Sequence, residues 1–198
     1  MVLAPAAQYG GSQIGLIASY RLGERKAAPS LLMRVSSEAD SLRQAEIALG
    51  MRWPLFGRLP VELSLERRFR RNSSDAFAAY IAGGWSAKGL PLDFRLSGYG
   101  QVGIVVADKG PQKASHFYDG NIRVARKALS IKRAKVSIGA GVWAGGQRGI
   151  NRVDTGPTAS VDFGLAQTNF RLSADYRFRV AGNAEPGSGL AITLSANY

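Results

Sequence analysis

The chain contains no cysteine and only one histidine, His116. Without thiols there is no disulfide framework, no thiolate nucleophile and no cysteine-based zinc site, and one imidazole cannot form a histidine cluster. Acidic residues are also scarce, with 14 Asp+Glu against 26 Lys+Arg and a net charge of +12. These absences exclude most familiar catalytic constellations, and the surplus of bases predicts an anionic partner.

Long apolar runs are missing as well. No window approaches the ~18 to 20 consecutive apolar residues of a membrane-spanning helix, and the N-terminal MVLAPAAQYGG lacks the basic region and apolar core of a signal peptide. An export signal would therefore lie outside this sequence. A helical membrane protein is excluded, whereas a transmembrane barrel, whose strands alternate, is not.

Alternation of apolar and polar residues is the dominant pattern. In the segment 168–180, Phe170, Leu172 and Phe178 share one parity, while Arg171 and Arg177 share the other. A strand separates such sets onto two faces, whereas a helix scatters them. Eleven segments behave in this way, at 13–22, 29–36, 43–53, 59–69, 75–86, 91–106, 117–128, 134–145, 157–164, 168–180 and 189–198.

The polar parity of these segments is strongly charged, and the apolar parity carries aromatics near strand ends. End-placed rings are typical of the aromatic girdles of outer-membrane barrels, and here they are Tyr20, Trp53, Phe69, Trp85, Tyr118, Phe178 and Tyr198. We therefore expect a charged lumen formed by Arg21, Arg34, Arg52, Arg95, Arg123, Arg171, Arg177, Arg179, Glu46, Glu62, Glu66 and Asp175.

The connections predict the orientation of the barrel. Long links such as ADKGPQKAS and GGQRGINRVDTG would face outward, and most of the links at the other edge are shorter. The predicted fold is all-β: an antiparallel transmembrane up-and-down β-barrel of about 12 strands (10–12). Residues 1–10 would form a partial first strand or a linker, and residues 11–198 a single barrel domain.

The C-terminal segment resembles the signature by which the outer-membrane assembly machinery recognises its substrates. Apolar residues alternate and the last residue is aromatic, through Leu190, Ile192, Leu194, Ala196 and Tyr198. The stretches SQIGLIASYRL, VELSLERRF, GAGVWAGGQ and YRFRVAGNAEPGSGLAITLSANY resemble the barrel region that ends longer alphaproteobacterial envelope proteins. The resemblance runs from about residue 11 to the end. It implies the outer membrane of a Gram-negative cell, but no activity.

His116, the only histidine, is the one candidate for an imidazole base in catalysis. Ser115 and His116 are adjacent, and adjacent strand residues point to opposite faces, so they cannot form a nucleophile and base pair. His116 is therefore expected to be a loop residue without a role. Glu62 and Glu66 would stand ~13 Å apart on one strand face, too far for glycoside hydrolysis. Ion pairs with Arg52 and Arg68 are the better interpretation. We therefore expect that the protein is not an enzyme and binds neither a cofactor nor a metal ion.

Three functions remain. The excess of lumen bases suggests a passive channel or export exit that favours anionic solutes or polysaccharide. A lumen filled by ion pairs would instead give a closed structural anchor for an upstream periplasmic domain. A soluble nucleic-acid-binding β-domain would also explain the charge, but eleven strands are far more sheet than such modules use. The expected partners are outer-membrane lipid and the barrel-assembly machinery, without nucleic acid.

Overall fold

The computed structural model describes residues 13–25, 27–38, 45–56, 59–109, 114–131, 134–165, 168–185 and 187–197. They form one sheet of eleven antiparallel strands in sequence order. None of their helices is long and apolar enough to cross a membrane. The strands are β1 (Gln13–Arg21), β2 (Ser30–Glu38), β3 (Glu46–Pro54), β4 (Val61–Arg70), β5 (Ala76–Ala87), β6 (Phe94–Ala107), β7 (Ala114–Ile131), β8 (Ala134–Gln147), β9 (Ile150–Leu165), β10 (Thr168–Gly182) and β11 (Gly189–Asn197).

The all-β class and the eleven alternating segments are confirmed, but several predicted bounds are wrong. Most of the predicted outer loop GGQRGINRVDTG is strand, because β8 and β9 continue until only Arg148 and Gly149 join them. Gly149 has a φ of 75°, which a glycine adopts without a Cβ clash. His116 lies within β7 rather than in a loop. The predicted strand start at residue 91 is instead a short 3-10 turn, Pro91–Asp93, ahead of β6.

The chain turns at two edges of the sheet. We call the edge where β11 ends the C-terminal edge; the β1–β2, β3–β4, β5–β6, β7–β8 and β9–β10 turns share it. The predicted difference in loop length between the edges is small in the structure. The β8–β9 turn at the opposite edge is as short as the β7–β8 turn at the C-terminal edge. Extra length is taken up by strand, since β7 has 18 residues and β9 has 16.

The two faces of the sheet have opposite chemistry and opposite exposure. One face, the polar face, carries buried charged and polar side chains, among them Arg34, Arg52, Ser64, Glu66 and Asp175. The other, the apolar face, exposes its large hydrophobic side chains. They include Leu31, Met33, Ile47, Leu49, Leu65, Phe77, Ile81, Val102, Ile104, Ile122, Val142, Leu172, Phe178, Leu190, Ile192 and Leu194. This burial is the reverse of that in a water-soluble sheet packed on a hydrophobic core.

The register is staggered in one direction across the sheet. A line of directly opposed residues starts at the end of β1 on the C-terminal edge and reaches the opposite edge at the β8–β9 turn. It passes through Arg21, Ser30, Arg52, Ser64, Tyr80, Gly103, Phe117, Gln147 and Ile150. Cumulative stagger of this kind accompanies the strand tilt of barrels. Within the described ranges no ladder joins β1 to β11, and the predicted partial strand at residues 1–10 lies outside them.

Candidate functional site: a buried polar face

Five residues of β2 to β5 form one buried network, which we call the β2–β5 cluster: Arg34, Glu46, Glu66, Arg68 and Tyr80. Arg34 Nη2 lies 2.8 Å from Glu46 Oε1 and 3.0 Å from Glu66 Oε2. Arg68 Nε lies 3.1 Å from Glu66 Oε2. The Tyr80 hydroxyl donates to Glu66 Oε1 at 2.5 Å. The Glu66 carboxylate therefore accepts from three donors while its side chain is 0 % exposed.

Small residues of β3 make this network possible. Arg34 reaches from β2 across β3 to Glu66 on β4, passing over Ala48 and Gly50. A Cβ at Gly50 would lie 2.2 Å from the Leu65 carbonyl oxygen and 3.0 Å from Glu66 Cγ. A larger residue there would displace the carboxylate that the two arginines share.

A second network, the β7–β10 cluster, consists of Arg123, Trp143, Thr158, Asp175 and Arg177. Arg123 Nη2 and Arg177 Nη2 lie 2.9 and 3.5 Å from the same oxygen, Asp175 Oδ2. Thr158 Oγ1 donates to Asp175 Oδ1 at 2.6 Å. Both guanidinium groups also face the Trp143 ring, at 5.5 and 4.8 Å from its centroid. Trp143 thus supplies a π surface to two cations that share one carboxylate.

Glycine clears the space for this second cluster too. Gly141 lies directly opposite Arg123 and next but one to Trp143 on β8. A Cβ at Gly141 would lie 2.6 Å from the Trp143 ring and 3.2 Å from Arg123 Cγ. The missing side chain at Gly141 therefore leaves room for both the tryptophan and the arginine.

Contacts between distant strands show that the sheet curls toward its polar face. Arg123 on β7 bonds Asp175 on β10, with β8 and β9 between them. Arg68 on β4 faces the ring of Phe117 on β7, 5.7 Å from its centroid. On a flat sheet three strand spacings would separate the Cα atoms by ~14 Å, and the side chains would stand perpendicular to the sheet. Such contacts require strong curvature.

The polar face also carries smaller pairs. Arg52 Nε lies 3.4 Å from Glu62 Oε2, as the sequence predicts for Glu62. Arg171 bonds Asp162 across β10 and β9 at 2.6 Å. Arg179 bonds the Ala184 carbonyl oxygen and lies 3.3 Å from Glu185 at the β10–β11 turn. The Arg171–Asp162 and Arg179–Glu185 pairs are more exposed than the two clusters, and exposed pairs contribute little to stability.

The predicted lumen residues occupy three environments. Arg34, Arg52, Glu66 and Asp175 are buried, while Glu46, Glu62, Arg123, Arg177 and Arg179 are half-buried. Arg21, Arg95 and Arg171 are exposed. The two clusters bring together Arg34, Glu46 and Glu66 on one side and Arg123, Arg177 and Asp175 on the other.

Several polar-face residues were missed by the sequence analysis. Arg152 and Asp154, joined at 2.8 Å, fall in the stretch predicted to be a loop. Continuing the alternation of 157–164 backwards would have placed both on the polar face. Tyr80 and Thr158 also lie on the polar parity of their strands. Because their side chains are uncharged, the sequence does not indicate that they bond Glu66 and Asp175.

Several buried donors on this face lack a partner among the described residues. Eight buried side-chain atoms within the described ranges have no hydrogen-bond partner. All eight can donate a hydrogen bond. They are Arg52 Nε, Ser64 Oγ, Arg70 Nε, Tyr99 OH, Gln101 Nε2, Arg123 Nε, Trp143 Nε1 and Arg177 Nε. The buried face is therefore chemically suited to acceptors such as water or anions.

The apolar face carries aromatic rings at both edges. Tyr20, Trp53 and Trp85 lie near the C-terminal ends of β1, β3 and β5, all at the C-terminal edge. Phe69 and Phe77 lie at the opposite edge, at the end of β4 and the start of β5. Leu190, Ile192 and Leu194 of the predicted assembly signal are exposed on this face. The side chain of Ala196 and the whole of Tyr198 lie outside the described residues.

Within the described ranges, Ser115 and His116 do not form a nucleophile and base pair. The imidazole lies on the exposed side of β7 while Ser115 has the opposite parity, and the Ser115 hydroxyl donates to the His116 carbonyl oxygen at 3.4 Å. No group of His, Asp and Glu suited to a metal ion occurs in the described part of the chain.

Comparison with known proteins adds no relative. No protein-family model matches the chain, and the searches of curated proteins and of solved structures found no match either. The best indication of function is therefore the chemistry and exposure of the two faces of the sheet.

Proposed function

We propose that the chain is a transmembrane β-barrel of the outer membrane. The observation that carries the proposal is the inverted sheet, with Arg34, Glu66 and Asp175 buried on one face and large apolar side chains exposed on the other. Proteins in water rarely expose apolar patches beyond a few hundred Å². A lipid environment removes this penalty, and the aromatic rings at both edges match the two interfaces of a bilayer.

Stagger and curvature support closure. In a bilayer every strand edge must be paired, because hydrocarbon offers no hydrogen bonds to free N–H and C=O groups. We propose that the free edges of β1 and β11 meet directly or through a strand formed ahead of β1. The outer-membrane lipid and the barrel-assembly machinery are the partners that follow, with β11 as the segment recognised.

We further propose that the lumen is closed and that the barrel serves as a structural membrane anchor. The Glu66 and Asp175 side chains are both 0 % exposed, and that of Arg34 is 6 % exposed. A wide aqueous pore would leave the charges of its wall in contact with water. Here the charges of the two clusters contact one another across several strands instead.

A second candidate is a passive channel or export exit for anionic solutes or polysaccharide. It rests on the surplus of buried donors, including the Nε atoms of Arg52, Arg123 and Arg177. Rings of arginine are the usual device of anion pores. This candidate requires the two clusters to part during conduction.

Resistance to detergent tests the membrane proposal. Since a closed barrel has no free edge from which to unfold, refolded chain in SDS should migrate differently before and after boiling. Identical migration, together with solubility in the absence of detergent, would contradict the proposal.

A pair of arginine substitutions tests the assignment of the faces. Leu194→Arg places a charge on the apolar face and should cost about 2 to 4 kcal/mol of insertion free energy. Its matched control, Thr193→Arg, lies on the polar parity of the same strand and should insert normally. The measurement is the heat-shifted fraction after refolding into vesicles, and equal insertion of the two variants would show that the faces are misassigned.

Conductance separates the two functions. The closed anchor predicts that heat-shifted protein gives no channels in planar bilayers. Conductance with a reversal potential of the sign expected for anions under a KCl gradient would favour the second candidate. This preference should fade in concentrated salt, because screening acts beyond ~10 Å already at 0.1 M.

A further inference from the structure

Among the described residues, two arginines lie on the exposed apolar face, and they differ in their partners. Arg67 bonds Asp108 through both terminal nitrogens, at 2.8 and 2.5 Å, and lies 3.7 Å from Asp75. Arg126 on β7 is exposed and has no hydrogen bond or ion pair with any described residue. Its neighbours directly across the ladders are apolar, Phe94 on β6 and Ile138 on β8. An unpaired guanidinium on such a face needs an anion from outside the protein.

A shallow depression adjoins Arg126 on the same face. Its volume is about 700 Å³, within the range of ligand sites. Small residues form its floor, since Ala159 on β9 lies directly opposite Ala174 on β10. Larger side chains border it, namely Phe94, Ile138, Tyr176 and Leu190. The depression is therefore an apolar trough with one cation at its margin.

The position of Arg126 suits a lipid headgroup. Phe94, directly opposite Arg126, is the first residue of β6 at the C-terminal edge, where the aromatic rings of the apolar face mark the proposed bilayer boundary. A long arginine side chain can extend from this level toward the polar zone while its stem remains in hydrocarbon. Guanidinium and phosphate form strong charge-assisted hydrogen bonds.

We propose that Arg126 and this depression bind an anionic phospholipid, with the phosphate on Arg126 and an acyl chain over Ala159 and Ala174. The inference rests on the proposed membrane location. It names a lipid class and a site that the barrel architecture by itself does not specify. Charge complementarity selects the anionic lipid over a zwitterionic one, and over a second copy of the chain, which carries the same positive charge.

Native mass spectrometry of protein released from mixed phosphatidylglycerol and phosphatidylcholine nanodiscs tests this site. The wild type should retain phosphatidylglycerol in preference to phosphatidylcholine, and Arg126→Gln should reduce that preference about tenfold, as expected for loss of a charge-assisted hydrogen bond. The matched control is Arg148→Gln, at the exposed β8–β9 turn of the opposite edge, which should leave the preference unchanged. Ala174→Phe fills the trough and should reduce retention of both lipids.

Three results would contradict the proposed lipid site. Equal preference in wild type and Arg126→Gln, or equal losses in Arg126→Gln and Arg148→Gln, would remove the role of Arg126. A lipid-free dimer would show that a second copy covers the trough. The heat-shift assay on the same samples separates the two proposals: inserted protein without lipid preference overturns the site alone, whereas protein that never inserts overturns the barrel and the site together.

Discussion

The β2–β5 cluster and the β7–β10 cluster both bury arginine on the polar face, but with different numbers of carboxylates. In the first, Arg34 and Arg68 share Glu46 and Glu66. In the second, Asp175 is the only described carboxylate that forms an ion pair with Arg123 and Arg177, and the Trp143 ring lies beside both. Burying a charge is costly unless it is paired. The first cluster retains a directly paired acid if one is lost, and the second does not.

The largest effect is therefore expected from Asp175→Asn. The amide retains the size of the carboxylate and an acceptor for Thr158, yet it leaves Arg123 and Arg177 without their ion-pair partner. Removing one partner of a buried pair typically costs about 3 to 5 kcal/mol. Urea unfolding of the vesicle-inserted barrel measures this loss, and Asp162→Asn, in a more exposed pair, is the control that should cost less than about 1 kcal/mol.

Glu66→Gln should cost less than Asp175→Asn, about 2 to 3 kcal/mol. Glu46 remains 2.8 Å from Arg34 and 3.9 Å from Arg68, so a negative charge stays within the cluster. The double variant Glu46→Gln with Glu66→Gln should then lose more than the sum of the single losses. Additive losses, or a larger loss for Glu66→Gln than for Asp175→Asn, would break the comparison between the clusters.

The smallest effect belongs to an ion pair outside both clusters, Arg67 with Asp108 beyond the end of β6. The hydrogen bonds from Arg67 hold the pKa of Asp108 below its ordinary value. A lowered folded-state pKa means that the stabilisation is present above the unfolded pKa and is lost as pH falls through the folded pKa.

An NMR titration of the Asp108 carboxyl carbon should give a midpoint below that of an unstructured aspartate. Arg67→Gln should return the midpoint toward the ordinary value, and added salt should weaken the shift because the pair is exposed. A midpoint that is the same in wild type and Arg67→Gln would remove this pair as the cause.

The comparison also shows where the sequence is informative. Alternation predicted the strands and the parity of Arg34, Glu66, Arg123 and Asp175, because a strand reverses its side chains at every residue. It could not predict which arginine meets which acid. Arg123 on β7 bonds Asp175 on β10, three strands away. This pairing depends on the curvature of the sheet and on glycines such as Gly141, which leave space for the arginine side chain.

Strand length was the second point that the sequence obscured. Glycines and charged residues in GGQRGINRVDTG are typical of a loop, yet Arg152 and Asp154 lie on the polar face of β9 and pair with each other. On an inverted sheet a charge is as acceptable inside a strand as in a turn. Composition that signals a loop in a soluble protein therefore loses its meaning here.

A transmembrane barrel requires that the apolar face meets lipid and the polar face does not. Because the chain has no cysteine, single-cysteine variants along β11 can be spin-labelled one at a time in vesicles. Accessibility to oxygen dissolved in hydrocarbon should alternate with a period of two. It should be high at Leu190→Cys, Ile192→Cys and Leu194→Cys and low at Ala191→Cys, Thr193→Cys and Ser195→Cys. Equal access of a water-soluble nickel reagent to both sets would contradict this prediction.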